Sequence, residues 1–456
     1  VLLAPLVVFA VLAAAYAVTS PPFENPDEVA HAQYATFLSD YGRLPRLLTD
    51  CVRMAFHPPL YHALISPLAR VAGVTTETVF AGYQINRDPT SPHLILTHGF
   101  PDEVFPYAGG VRFVQLGRLV SILASLVTLL YTWKLAGLLL ASRALALIAT
   151  MTVASLPQFQ YVAASLNHDG LTASATSAFL FHATRLARSF PSDAALKAGF
   201  ALGIALLTKS SALAMAPLVP LAALLSARSV ALAAILRRAT ALFAVAFAIA
   251  GFWYLRNVDA FGTPVPTVHL VHTTWVGFQL ARSSAPSGNE ILAIAYDLFR
   301  SFVFLGGLMD LAAPTWLYLS WGLLLSLALI GLGPLCARRI GLVPVAALVS
   351  SLASVAHFNL SVSSPQGRYL FIALPVIGVA VAAGFARVVP PSARRSLIPV
   401  AVVAPPLLAV AFFALGFRPT YAGIRERPRE ATWGGTAQLH CANEYRAEVR
   451  SPGGPI

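Results

Sequence analysis

Long apolar runs separated by short polar breaks set the pattern of this chain, beginning with Val1 to Ser20, which holds no charged side chain. A hydrocarbon core of about 30 Å takes roughly 20 apolar residues to cross, and only helices or closed barrels satisfy their backbone inside it. The Ala/Leu/Val runs are too long and too unbroken for the alternating strands of a barrel. The pattern therefore predicts an all-α, polytopic transmembrane helical protein. About eleven spans are expected, near 1–19, 113–139, 143–160, 170–188, 194–208, 211–227, 239–256, 314–333, 341–360, 368–388 and 396–416.

Composition agrees: of 456 residues 57% are hydrophobic and 11% charged, and the mean hydropathy is +0.71. The charged fraction of soluble domains is about 25%. Arg143, Arg185, Arg188, Lys197, Arg228, Arg237, Arg238, Arg338, Arg339, Arg387, Arg394 and Arg395 all fall on one side if the first span starts in the cytoplasm. The expected location is therefore the plasma (inner) membrane, multi-pass, with loops 20–112 and 257–313 and the tail 417–456 outside the cytoplasm. Domain division follows: a transmembrane module over 1–416 and a short tail over 417–456. The net charge of +12 belongs largely to the inner turns, so the partner it implies is the lipid bilayer and not nucleic acid. Cys51 and Cys441 both lie in outer segments, where a disulfide persists; pairing and two free thiols are both open.

The stretch SPPFENPDEVAHAQY (20–34) is where the chain first leaves the apolar phase. Asn25 as N-cap, Pro26 at the first helical position and Glu28 three residues after the cap predict a helix start. Ala30, Tyr34, Phe37, Leu38 and Tyr41 then recur at helical spacing, which predicts a short helix on the outer membrane surface. Capping accounts for one or two acids, whereas Glu24, Asp27, Glu28 and His31 stand at i, i+3, i+4 and i+7, near one face. A partly desolvated carboxylate flanked by others is expected to have a raised pKa, as suits a general base. A metal set of Asp27, Glu28, His31 and His57 is the alternative, although the spacing is not the two-histidine pattern of zincins. The sequence marks no definite cofactor, and a divalent cation stays open.

PPxxNPDExxH after the first span, FHPPLYHAL (56–64), RLVSILASLVTLLYTWKLAG (118–137), GIALLTKSSALAMAPL (203–218), FWYLRNVDAFGTP (252–264) and SSPQGRYLFIALP (363–375) occur in this order. Together they resemble the GT-C superfamily of integral-membrane glycosyltransferases, which includes protein O-mannosyltransferases and the aminoarabinose transferases of lipid A. The resemblance implies a catalytic acid in the first outer loop, matching Asp27, with Glu28 beside it as the alternative base. It implies a polyprenyl-phosphate or polyprenyl-diphosphate sugar donor, a glycan or lipid acceptor outside the cytoplasm, and inversion at the anomeric carbon. The leaving phosphate calls for fixed positive charge. Lys209, Arg256 and Arg368 are the candidates, because cations near the apolar core usually have partners or a function. Each can also merely snorkel to a headgroup. The resemblance places His57 and Tyr61 near substrate, and Asp169 of Asn167-His168-Asp169 is a second candidate acid for the acceptor, as is His31 for substrate contact.

About forty residues follow the last span, fewer than the soluble C-terminal domain of better-known members, so the two outer loops are expected to recognise the acceptor. Trp275, Tyr296 and Trp316 are available there to stack on sugar rings. The rival reading is a transporter or flippase of a lipid-linked sugar. It is disfavoured because no repeat is visible and the ionisable residues gather at the outer boundary, not at mid-membrane.

Overall fold

The computed structural model describes residues 1–46, 50, 52–84, 86, 94–266, 282, 284–307 and 309–422. In chain order its helices are α1 (Leu3–Thr19), α2 (Glu28–Tyr41), α3 (Leu60–Ala72), α4 (Gly109–Leu140), α5 (Arg143–Ala154), α6 (Pro157–Ala163), α7 (Asp169–Ser189) and α8 (Ser192–Thr208). Then follow α9 (Leu218–Ser226), α10 (Leu232–Phe261), α11 (Gly288–Val303), α12 (Thr315–Cys336), α13 (Leu342–Ser361), α14 (Leu374–Val388) and α15 (Pro391–Phe412). Among the described residues, strand pairing is limited to Leu305–Gly306 against Leu311–Ala312.

All eleven predicted segments fall on helix, but eleven crossings are not reached by length and composition. Six helical stretches are long and apolar enough to cross a bilayer, and α5 with α6, bent by 61° at its break, makes a seventh. α1 and α8 have 17 residues each. α7 has 21, but Asp169, His182, Arg185 and Arg188 dilute its apolar character. It tolerates them because it sits inside the bundle against α4, α8 and α9. There small hydroxyl residues pair across the helices, as Thr128 with Ser174 at 3.1 Å. A Cβ on Gly170 would lie 2.3 Å from Ser125 Oγ, so only glycine lets the first turn of α7 press onto α4. That approach sets the depth of Asp169.

The predicted inner turns meet at one end. Arg238 Nη1 donates to the Phe190 carbonyl at 2.7 Å, Arg338 to the Leu139 carbonyl and Arg394 Nε to the Val389 carbonyl at 3.0 Å. The opposite end gathers the 20–27 loop, the 164–168 loop, the break at Lys209 and residues 364–368.

Two local expectations need correction. α2 is a helix, but it does not lie on a surface: Ala30, Tyr34 and Phe37 pack with Val52, Met54 and Ala55, while Ala32 and Ala35 pack with Phe23, Tyr61 and Ile65. Spacing alone showed one apolar stripe and missed the alanines that bury the other side. The 257–313 region is also not all loop, because α10 runs to Phe261 and α11 starts at a capping box of Ser287 and Glu290. The proposed Cys51–Cys441 pairing, Trp275 and most of the 417–456 tail lie outside the described residues.

Candidate active site

The acidic stretch fans out instead of sharing a face. The helix begins two residues later than expected: Asp27, in the left-handed region with φ 65°, is the N-cap, and its side chain makes no cap hydrogen bond. Asn25 is not the cap, because its Nδ2 reaches back to the Ala164 carbonyl at 3.3 Å. Glu24 accepts from the amides of Ile95 and Leu96, both at 2.7 Å, and meets His98 Nε2 at 2.8 Å. Glu28 is fully buried and accepts from Phe23 N at 3.0 Å, Leu166 N at 2.8 Å and Arg118 Nε and Nη2 at 2.8 Å each. Its lone pairs are spent on holding the loop.

Asp27 turns the other way. Its Oδ2 accepts from Arg368 Nη2 at 2.6 Å, and Arg368 Nη1 lies 3.5 Å from Asp169 Oδ2. Asp169 Oδ1 in turn accepts from Lys209 Nζ at 2.5 Å. Acid, cation, acid and cation thus alternate across four segments of chain. Gln366 aims the guanidinium, accepting from Arg368 Nε at 2.6 Å. Gly367 is required by packing: a Cβ there would sit 2.2 Å from Phe302 N. Lys209 and Arg368 both stand over the Tyr369 ring, 5.2 and 5.9 Å from its centroid. Asp27 keeps 33% of its side chain accessible, against 8% for Arg368 and 4% for Asp169. It is the open member of the chain.

The expected raised pKa of this carboxylate is not found. Burial works to raise it, but the charge and hydrogen bond of Arg368 dominate and hold Asp27 well below the usual carboxylate range. Flanking acids had been expected to govern it, and they are neutralised: Glu28 by Arg118 and Glu24 by His98.

Histidines form the adjoining wall. His62 Nε2 meets His31 Nδ1 at 2.8 Å, and His31 Nε2 meets His168 Nδ1 at 3.1 Å. The His57 ring lies 5.0 Å from that of His168, and Tyr34 stacks on His62 at 3.9 Å. Burial lowers His31 to about 4 and His57 to about 3, and takes His62 and His168 well below the ordinary histidine value. All four are neutral at pH 7. Among the described residues, no group of three or more His, Cys, Asp or Glu side chains has the geometry to hold a metal ion.

Of the predicted site residues, Asp27, Asp169, Lys209 and Arg368 come together, with His31 and His57 beside them. Tyr61 is buried and hydrogen-bonds Ser121 at 2.8 Å. Arg256 donates to the Pro45 carbonyl at 2.8 Å and stacks on Trp253. Tyr296 and Trp316 are exposed and make none of the contacts described above. Sequence reasoning passed over Arg118 and His168. Arg118 carried the same signal as Lys209, a lone cation in an apolar run; His168 stood beside Asp169 without a pattern of its own.

Residues 111–254 match the family described as dolichyl-phosphate-mannose-protein mannosyltransferase. No curated protein matches the sequence. The fold is similar to that of ArnT from Cupriavidus metallidurans bound to undecaprenyl phosphate, with a TM-score of 0.55 and 16% identity over 92% of this chain and 74% of that one. Against the apo state of ArnT the TM-score is 0.54 with 17% identity, over 90% of this chain and 64% of that one. The resemblance read from the ordered motifs is borne out in both comparisons.

Proposed function

With the fold of the GT-C membrane glycosyltransferases as premise, we propose that this chain transfers a sugar from a polyprenyl-phosphate or polyprenyl-diphosphate carrier to a cell-envelope glycan or lipid acceptor, with inversion. The observation that carries the reading is the Asp27–Arg368–Asp169–Lys209 chain, with Asp27 as its accessible end. The described bundle over 1–416 is the catalytic module. The site faces away from the cytoplasm, because the Arg-rich turns gather at the other end of the bundle.

The acceptor oxygen attacks the anomeric carbon from the side opposite the carrier. Its proton passes to Asp27 as the carbon–oxygen bond to phosphate breaks, and the phosphate leaves with the bonding electrons. Arg368 and Lys209 stabilise that charge, since fixed donors aimed at a developing anion need no reorganisation. Asp27 paired to Arg368 is a weak base at rest. A carrier phosphate that shares the guanidinium draws its charge away, so the proton affinity of Asp27 rises when donor is bound.

The test is a panel of radiolabelled polyprenyl-phosphate sugars offered to the purified protein in lipid nanodiscs. One donor should turn over with wild type and not with Asp27→Asn. Carrier binding without turnover in the presence of acceptor lipids would instead favour a transporter of lipid-linked sugar.

A further inference from the structure

Helix α11 carries an apolar stripe that the bundle covers only at its last turns. Ile291, Leu292, Ala295, Tyr296 and Phe299 recur at i, i+1, i+4, i+5 and i+8, along one face, and Glu290, Ala293 and Asp297 stand on the opposite one. Ile291, Leu292 and Tyr296 each leave more than half of their surface exposed. Apolar side chains exposed singly are ordinary, but a stripe along one helix marks a surface that meets something apolar.

The way α11 is held says what that is. At its first turn Glu290 meets Arg282 at 3.1 Å, and the Arg282 amide donates at 3.0 Å to the carbonyl of Ser361, the last residue of α13. At its other end the Phe299 ring lies 6.1 Å from that of Tyr318, and Arg300 stands over the rings of Tyr296 and Tyr318, 5.3 and 5.9 Å from their centroids. Tyr318 is in the first turn of α12. Both α12 and α13 belong to stretches long and apolar enough to cross a bilayer, and these are their ends away from the Arg-rich turns. A helix of 16 residues, about 24 Å long, is thus pinned at both ends to the outer boundary of the hydrocarbon. Its axis runs along that boundary. The stripe continues onto the side of α12 where Leu319 and Leu323 are exposed, and Tyr and Arg are the side chains that suit this level.

The same helix reaches the site. Ser301 Oγ accepts from Gly367 N at 2.8 Å and donates to the Asp297 carbonyl at 2.5 Å, and the residue after Gly367 is Arg368, the partner of Asp27. We propose that α11 lies in the outer face of the bilayer with Ile291, Leu292 and Tyr296 among the phospholipid chains, and that through Ser301 this seat holds the backbone beside Arg368. Tyr296 then serves the membrane and not a sugar ring. Neither half of the inference depends on the proposed reaction.

The seat is tested with the full-length protein in nanodiscs of phosphatidylcholine and phosphatidylglycerol, with the photoreactive residue benzoylphenylalanine placed at Leu292 or at Ala293. Mass spectrometry after irradiation should find phospholipid adducts at Leu292 that are lost at Ala293. Equal adducts at both positions, or none at Leu292, would overturn the seat. A cross-linked pair of chains at Leu292 would also overturn it, by giving the stripe to a second copy. The link to Arg368 is read by amide hydrogen exchange over residues 364–369. Ile291→Asp combined with Leu292→Asp puts two charges into the apolar phase and should speed that exchange roughly tenfold, whereas Ala293→Asp on the water side should leave it unchanged. Ser301→Ala, which keeps the stripe, should speed the same exchange and retain the adduct at Leu292. Unchanged exchange in the double variant or in Ser301→Ala would refute the link. A protein that transfers no sugar would give the same adducts and the same exchange, so failure of the proposed reaction is told apart from failure of the seat.

Discussion

Two adjacent carboxylates, Asp27 and Glu28, each meet an arginine, and the two pairs do opposite things. Arg118 spends all five N–H groups: Nε and one from Nη2 on Glu28, the second from Nη2 on the Pro21 carbonyl, and two from Nη1 on the carbonyls of Ala17 and Ser20. Glu28 is equally occupied, and both side chains are fully buried. Nothing remains with which to bind a substrate. Arg368 and Asp27 share one 2.6 Å bond at an accessible position. A buried ion pair is worth its desolvation only when every bond is made, whereas an incomplete pair at a cleft can exchange partners. Glu28 therefore holds the loop, and Asp27 is held by it.

The largest effect should come from breaking the closed pair. Arg118→Leu strands the Glu28 charge among buried groups, which costs about 3–5 kcal/mol, a large part of a typical domain's stability. Little folded protein should be recovered in size-exclusion or thermal assays, and adding Glu28→Gln should restore part of it. Normal melting of Arg118→Leu alone would break the comparison. Asp27→Asn should do the reverse. Asparagine adopts the left-handed conformation that Asp27 occupies, so the backbone is unstrained and melting should barely move. Sugar transfer should fall by about 10²–10⁴, the usual worth of a positioned general base. Lys209→Met should be milder: one charged hydrogen bond of about 1.5–3 kcal/mol is lost, to be read as weaker binding of undecaprenyl phosphate, tenfold or more.

These differences also mark what could be read from the sequence. The helices were legible because apolar run length is a local signal, and every predicted span falls on one. Lys209 and Arg368 were legible as charges near the apolar core, Asp27 from its acidic stretch together with the resemblance, and Asp169 through the resemblance alone. Their partnership was not, since Asp27 and Arg368 are 341 residues apart. Nor was the division of labour between neighbours at 27 and 28. It depends on the left-handed turn at Asp27, which sends the two side chains to different arginines. Arg118 escaped notice because its run read as a span to be counted, although a guanidinium in a helix this apolar needs a partner as much as Lys209 does.

The smallest expected effect separates the neutral histidines from a charged one. Burial pushes the pKa of His31 to about 4 and that of His57 to about 3, below the ordinary 6.5. The unfolded chain binds these protons first, so stability falls as pH drops below about 6.5 toward those values. His98 has the opposite sign. Burial alone would lower it, but it sits between Glu103 at 2.9 Å and Glu24 at 2.8 Å, and their hydrogen bonds and charges raise its pKa. Its contribution is complete below the unfolded pKa and is lost as pH rises through the folded one. As pH falls through the ordinary histidine value of about 6.5 the two kinds of histidine therefore oppose each other. Removing the charged one with His98→Gln should lower the melting temperature at neutral pH and steepen its decline with acid. A variant whose melting curve keeps the wild-type pH slope would mean that the carboxylates around His98 do not hold it protonated, and that Glu24, unlike Glu28, is not neutralised by a partner.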